Sequence, residues 1–325
     1  MQQYEFEEFL ELNSDSNEFA NLLGVARKKG GSVLRFYKPS SYFPSISITG
    51  NQCSLSCAYC NKKFLHHMIS ATSPEQLRET CFDLAEKGVL GCLISGGYNK
   101  HGTVPIDDFL PVMREIKHET GLVINLHPGL VNFSQAESIA AAEVDVVSYD
   151  VIGDTRIVRE VIGLQKTSQD YLNTLSNLDR AGLSVVPHVG IGFYQGGIEG
   201  VKEALEACIS FDPELIVLLV FWPKKGTSMQ DVVPPSAHTV QKIATWTVLM
   251  QKTGKVGIGC MRPRDAELDT MVIQAGISRI ELPRSGSLKA AEKIGLTIKE
   301  IPACCALPEK LEEEYLARYN EGSRN

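Results

Sequence analysis

The sequence predicts an α/β fold, a (β/α)8 TIM-type barrel with an N-terminal helical extension and a C-terminal tail. Three observations carry this expectation. Eight short apolar segments recur from residue 45 onward, at 45–49, 89–95, 122–126, 144–149, 184–190, 214–221, 255–260 and 278–282. Several lack the polar–apolar alternation of a half-exposed strand, as strands covered on both faces do. Each is followed by a helical pattern, and eight strand–helix pairs in a chain of 325 residues match the count of a barrel. An open, doubly wound sheet shares this alternation, because pattern alone does not reveal closure.

Residues 1–42 form the extension. Phe6, Phe9, Leu10 and Leu12 are spaced for one short amphipathic helix, and Phe19, Leu22, Leu23 and Val25 for a second. Gly30-Gly31 stops the second helix before an extended stretch, 32–37. The barrel occupies 43–295. Its first helix opens at Ser73-Pro74-Glu75-Gln76, an N-cap followed by a proline suited to the first helical position. Further helical patterns run over 106–120, 134–142, 168–181, 198–209, 236–252, 267–275 and 287–294. The tail, 296–325, lies beyond that count, closes over the barrel and ends in a charged helix, 308–319.

Composition narrows the function. Apolar residues make up 43% and charged residues 22%, which a packed core requires and a disordered chain lacks. Lys plus Arg number 32 against 39 Asp plus Glu, so the net charge of -7 offers no basic face for nucleic acid. The longest apolar run, 215–222, is far short of the roughly 20 residues of a membrane span. The N-terminus is acidic where a secretory signal is basic. A cytoplasmic protein without membrane or nucleic-acid partners is expected. In that reducing compartment the nine cysteines read as metal ligands, catalytic groups or core residues rather than disulfides.

Three of them stand together after the first barrel strand, in Cys53-Ser54-Leu55-Ser56-Cys57-Ala58-Tyr59-Cys60. This C-x3-C-x2-C spacing places three soft thiolates on one loop, suited to three corners of an iron–sulfur cube and leaving the fourth iron open. A zinc site of Cys57, Cys60, His66 and His67 is the alternative, with four ligands for a closed tetrahedron but no use for Cys53.

The motif closely resembles that of the radical S-adenosylmethionine (SAM) superfamily. The resemblance implies a [4Fe-4S] cluster on Cys53, Cys57 and Cys60, with SAM chelated at the open iron as the source of a 5′-deoxyadenosyl radical. It further implies that Tyr59 flanks adenine. Ser95-Gly96-Gly97 would receive the methionine amino group, with Tyr98 standing where an acidic residue is frequent. Asp150 or Asp154 would hold the ribose, and the segment beginning at His188 would lie beside adenine. Each has a plainer role open to it: a glycine turn, a helix cap for either aspartate, and packing for Tyr59 and His188.

Lys225-Gly226-Thr227 and Gly259-Cys260-Met261-Arg262-Pro263-Arg264 are similar to segments of the biotin-synthase branch, and the likeness runs over about 19–282. Cys81, Cys92 and Cys208 fall on apolar faces and read as core. Cys260, Cys304 and Cys305 remain. They are candidates for an auxiliary iron–sulfur cluster that donates sulfur, the alternative being a chance cysteine pair in the tail. Arg262 or Arg264 would be a nearby ligand, a positioning group or a salt-bridge partner. No cysteine occupies the middle strands that carry the auxiliary ligands in biotin synthases.

The combination most resembles the two-component (archaeal-type) lipoyl synthases. That likeness implies sulfur insertion into an octanoyl chain carried on an acceptor protein. It also implies a reductant such as ferredoxin or flavodoxin and a homologous second component. The alternative within the superfamily is a single-cluster rearrangement or lyase enzyme, like methylornithine synthase or the hydrogenase-maturation barrel.

Overall fold

Eleven parallel strands form one sheet in the computed structural model, which describes residues 4–322. Residues 1–3 of the N-terminal extension and 323–325 of the tail lie outside the described residues. The strands are β1 (Val33–Tyr37), β2 (Ser45–Ser47), β3 (Ile69–Ser70), β4 (Gly91–Ser95), β5 (Val123–Leu126), β6 (Val146–Val151), β7 (Val185–Ile191), β8 (Ile216–Val220), β9 (Val256–Ile258), β10 (Arg279–Glu281) and β11 (Thr297–Ile301). All eight expected barrel strands are present, and β2 and β4 to β10 lie side by side in chain order.

Three strands exceed the count of eight. The extended stretch after the N-terminal helices becomes β1, which inserts between β10 and β11. β3 adds to the outer edge of β2. Hydrogen bonding runs from β11 to β3 without joining those two edges, so the ring is curled rather than zipped shut. Its curl is evident from one cavity, lined by Ser45, Leu93, Asn125, Asp150, His188, Leu219, Gly259 and Glu281, one residue at or beside each of eight strands.

Alternation along the strands divides the core in two. Outward residues such as Ile46, Ile94, Ile124, Val147, Val189, Leu218, Ile258 and Ile280 pack under the surrounding helices. These include α3 (Pro74–Glu86), α4 (Leu110–Thr120), α5 (Phe133–Ala141), α6 (Ser168–Arg180), α7 (Val201–Ser210), α8 (Ala237–Met250), α9 (Ala266–Gln274) and α10 (Ser285–Lys293). Ser73 caps α3, its hydroxyl accepting the Gln76 N–H at 3.2 Å. The N-terminal helices α1 (Phe6–Glu11) and α2 (Asn17–Gly30) pack on α8, with Phe6 edge-on to Trp246. Cys81, Cys92 and Cys208 are fully buried, as core residues are.

Inward residues build a second core. Tyr37, Val123, Val146, Val186, Leu215 and Val217 surround Ala303, Cys305, Ala306 and Leu307 of the tail. The tail therefore enters the ring as a plug at the N-terminal ends of β5 to β8, whereas the sequence alone suggested a cover. Buried Arg279 fixes the plug, donating to the carbonyls of Cys305 (2.9 Å) and Leu307 (2.6 Å). Beyond it, α11 (Glu309–Gly322) crosses the unzipped edge. The Tyr315 hydroxyl donates toward Tyr42 O and Pro302 O, and Glu312 accepts from Arg35, Tyr37 and Lys299. No helix among the described residues is long and apolar enough to cross a membrane.

Candidate active site

The loop after β2 carries Cys53, Cys57 and Cys60, and its path is set by neighbours on three later loops. Ser54 N–H donates to Tyr98 O (2.7 Å), Ala58 N–H to Val161 O (2.7 Å), and Met229 N–H to Ala58 O (3.3 Å). Val161 ends a π-helical turn, 157–161, between β6 and α6, an irregularity frequent at functional sites and invisible in the sequence pattern. Within the loop, Asn61 and Lys62 adopt left-handed backbone conformations (φ 45° and 65°). Burial pushes the Cys60 thiol up, and the nearby N–H groups of Phe64, Lys62 and Lys63 offset that only in part. Burial and the adjacent thiols push Cys57 up to about 12.

Three thiols on one loop, Cys57 buried and Cys53 and Cys60 half-buried, suit the positively charged iron core of a cluster, which would bind them as thiolates. The three sulfurs do not all lie within 4.8 Å of one another. His66 and His67 are exposed on a 3-10 turn and join no such group among the described residues. The zinc alternative is not assembled here.

Gly96 and Gly97 serve this loop directly. A Cβ on Gly97 would stand 2.0 Å from Gln52 O and 2.6 Å from Cys53 Cβ, while Gly97 N–H donates to Thr49 Oγ1 at 2.6 Å. Their smallness admits the start of the cysteine loop. Ser95, expected at the cofactor, instead donates its hydroxyl to His127 O (3.0 Å) and ties β4 to β5. Its side chain lines neither of the cavities described here.

Beside the cysteine loop lies a small, partly open pocket. Tyr59, Asp150 and His188 meet there. Tyr59 packs edge-on to Phe193 at 4.9 Å, and burial pushes its hydroxyl well up, so it presents a neutral phenol. His188 Nδ1–H donates to Val186 O (3.0 Å), since a carbonyl can only accept. Its Nε2 is left as the acceptor of the neutral ring. Asp154 is placed elsewhere. It accepts from Arg156 N–H (2.7 Å) and pairs with the Arg156 guanidinium (2.6 Å), because it caps the turn after β6. The structure brings Asp150, not Asp154, into the pocket.

Two carboxylate or imidazole groups in this region escaped the sequence reading. Glu199 lines the pocket with one buried carboxylate oxygen lacking a partner. His127 stands 3.5 Å from Asp150 through Nε2. Burial pulls His188 down to about 4 from its usual 6.5, so it is neutral at pH 7. As pH falls, the unfolded chain takes up this proton first, so His188 subtracts from stability between pH 6.5 and 4. Its ring resonances are expected to hold their neutral positions from pH 7 to 5 in an NMR titration. A midpoint near 6.5 would contradict the desolvated placement.

The lumen cavity shares Asp150, His188, Leu219 and Met261 with this pocket and reaches down to the plug. On its wall, Glu281, Cys304 and Cys305 place their ligand atoms within 4.8 Å of one another. Cys260 lies on the same wall, near enough to feel the charges of Glu281 and Cys304, but outside that tight group. Arg262 and Arg264 are both engaged with the protein itself. Arg262 is fully buried, pairs with buried Asp269 (3.0 Å) and donates to Gly259 O and Glu281 O. Arg264 donates to Cys260 O, Glu281 O and Leu282 O. Together they clamp the Cys260 loop to the end of β10.

Comparison with known proteins adds to this geometry. The sequence profile of the radical SAM superfamily matches residues 47–208. Biotin synthase of Chlamydia pneumoniae is 25% identical over 223 residues, 64% of this chain and 64% of that protein. The 3-methylornithine synthase of Methanosarcina acetivorans is 22% identical over 184 residues, 55% of this chain and 50% of that one. The chain thus spans less than two thirds of the length of these curated relatives. Among solved structures, methylornithine synthase (PylB) superimposes with a TM-score of 0.62 at 16% identity, covering 98% of this chain and 97% of the other. The FeFe-hydrogenase maturase HydG from Carboxydothermus hydrogenoformans gives 0.66 at 15% identity, covering 99% and 82%. These superpositions bear on the fold, which they share along nearly the whole chain.

Proposed function

The chain belongs to the radical SAM superfamily, and from that premise we propose that it is an enzyme inserting sulfur into an unactivated C–H bond, in a protein-bound octanoyl chain of lipoyl biosynthesis. When bound, a [4Fe-4S] cluster on Cys53, Cys57 and Cys60 with SAM supplies a 5′-deoxyadenosyl radical, and an auxiliary cluster on Cys260, Cys304 and Cys305 supplies sulfur. Asp150 accepts hydrogen bonds from ribose hydroxyls, His188 Nε2 accepts one from the cofactor, and Tyr59 packs against adenine. The plug and the helix ring exclude water from below. Phe43, Leu93, Leu219 and Met261 give the lumen apolar walls suited to a hydrocarbon chain.

One observation carries the reading. The cavity lined by Asp150 and His188 is lined also by Cys260, Cys304 and Cys305. A substrate between them would meet hydrogen abstraction on one side and a sulfur source on the other. A single-cluster rearrangement leaves those thiols without a role. A reductant such as ferredoxin or flavodoxin, an octanoylated acceptor protein and a homologous second component complete the proposal.

The test is a count of iron and sulfide after anaerobic reconstitution, on the native chain and on one with Cys53, Cys57 and Cys60 changed to Ala. About eight irons falling to about four is expected if each cluster is a four-iron cube. About four falling to none would remove the sulfur source and favour a rearrangement or lyase.

A further inference from the structure

Resting on that reading of the lumen site, we infer that Glu281 is a further ligand of the auxiliary cluster beside Cys260, Cys304 and Cys305, giving it a mixed carboxylate and thiolate donor set. The ligand atoms of Glu281, Cys304 and Cys305 already lie within 4.8 Å of one another, while Cys260 stands on the same wall outside that group.

The surroundings of Glu281 argue the same. Its side chain is 6% exposed, and among the described residues it forms no ion pair. Arg262 and Arg264 are close, yet their N–H groups are spent on Asp269 and on the carbonyls of Gly259, Cys260, Glu281 and Leu282. The polar groups that do approach the carboxylate are the thiol and backbone N–H of Cys305. A buried carboxylate with guanidinium groups nearby but none paired to it keeps a desolvation cost, which a metal ion bound to it would offset. Asn125 is a separate sign that a partner belongs here. It is fully buried, its Nδ2 stands 3.7 Å from Cys304 Sγ, and its Oδ1 has no hydrogen-bond partner.

A carboxylate is a harder ligand than a thiolate, so the iron it holds exchanges more readily than its neighbours. The β10 position is also rigid. Glu281 ends a strand paired on both sides, and its backbone carbonyl is held by two guanidinium groups.

The experiment uses the full chain with Cys53, Cys57 and Cys60 changed to Ala, reconstituted with iron and sulfide, so that only the lumen site can load. It is compared with the same chain carrying Glu281→Gln or Glu281→Cys. Readouts are iron and sulfide content, the rate of iron loss to a ferrous chelator, and the Mössbauer spectrum. The Gln variant is expected to lose iron on the order of tenfold faster, with one iron site altered. The Cys variant is expected to retain iron and to shift that site toward thiolate parameters. Identical loss rates and spectra in all three chains would overturn the assignment while leaving the auxiliary cluster in place. A parent chain that takes up no iron, or zinc without sulfide, would overturn the auxiliary cluster and this inference with it. If Glu281→Gln proves misfolded by circular dichroism, the Cys variant decides: an unshifted spectrum overturns the assignment.

Discussion

Gly97→Ala is expected to strip the first cluster from the protein although it alters no ligand. The added Cβ would stand 2.0 Å from Gln52 O and 2.6 Å from Cys53 Cβ, both on the segment that launches the cysteine loop. Neither neighbour is the far end of a flexible side chain, so the backbone of 52–53 must move. The same shift would disturb the 2.6 Å hydrogen bond from Gly97 N–H to Thr49 Oγ1 and the one from Ser54 N–H to Tyr98 O. A movement of about 1 Å at one corner suffices to misplace a ligand held to tolerances of about 0.2 Å. After reconstitution, the variant should hold about four fewer irons than the native chain and form 5′-deoxyadenosine at least about a hundredfold more slowly. Iron content and SAM cleavage equal to the native chain would show that the glycine pair is only a turn.

That prediction marks the boundary of what the sequence reveals. The cysteine loop is legible because its ligands fall within a segment of eight residues and sit beside a strand, so spacing alone carries the chemistry. The eight barrel strands are legible for a similar local reason, since each is a short apolar run framed by helix starts such as Ser73-Pro74. β11 was not. Its Thr297-Ile298-Lys299-Glu300-Ile301 is a polar edge strand, and its partner β1 comes from more than 250 residues earlier. Pairing across that distance leaves no periodic trace at either end.

The site residues that went unseen share one feature. Asn125 and His127 at the end of β5, Glu281 at the end of β10 and Glu199 before α7 are isolated polar residues far apart in the chain, brought to the cavities only by the curl of the sheet. One signal was available. Strands covered on both faces should be apolar throughout, yet Asn125, Ser148, Asp150, His188, Arg279 and Glu281 are polar residues on inward positions. Read together, those exceptions trace the lumen. Of the roles open to Arg262 and Arg264, the structure shows the salt bridge, made by Arg262 and buried rather than exposed. Two arginines beside a cysteine suggest chemistry, but full burial of Arg262 against Asp269 makes it a clamp.

Truncation after Ile301 is expected to abolish cooperative folding, because the removed segment is the floor of the inner core. Ala303, Cys305, Ala306 and Leu307 are all 2% exposed or less and pack against Val123, Val146, Val186 and Val217. Their loss would open those inward valines to water. It would also leave the fully buried Arg279 guanidinium without the Cys305 and Leu307 carbonyls. Arg35 would lose Glu309 and Glu312, and Tyr37 would lose Glu312. Breaking one buried charge arrangement costs about 3–5 kcal/mol, a large share of the roughly 5–15 kcal/mol that holds a domain folded. A milder variant separates packing from charge. Leu307→Ala removes only side-chain volume and should cost about 2–5 kcal/mol, read as a lower denaturant midpoint with unchanged slope. A truncated chain that melts cooperatively near the native temperature would show the plug to be dispensable. The lumen thiols would then sit on an appendage, free of the barrel they are proposed to serve.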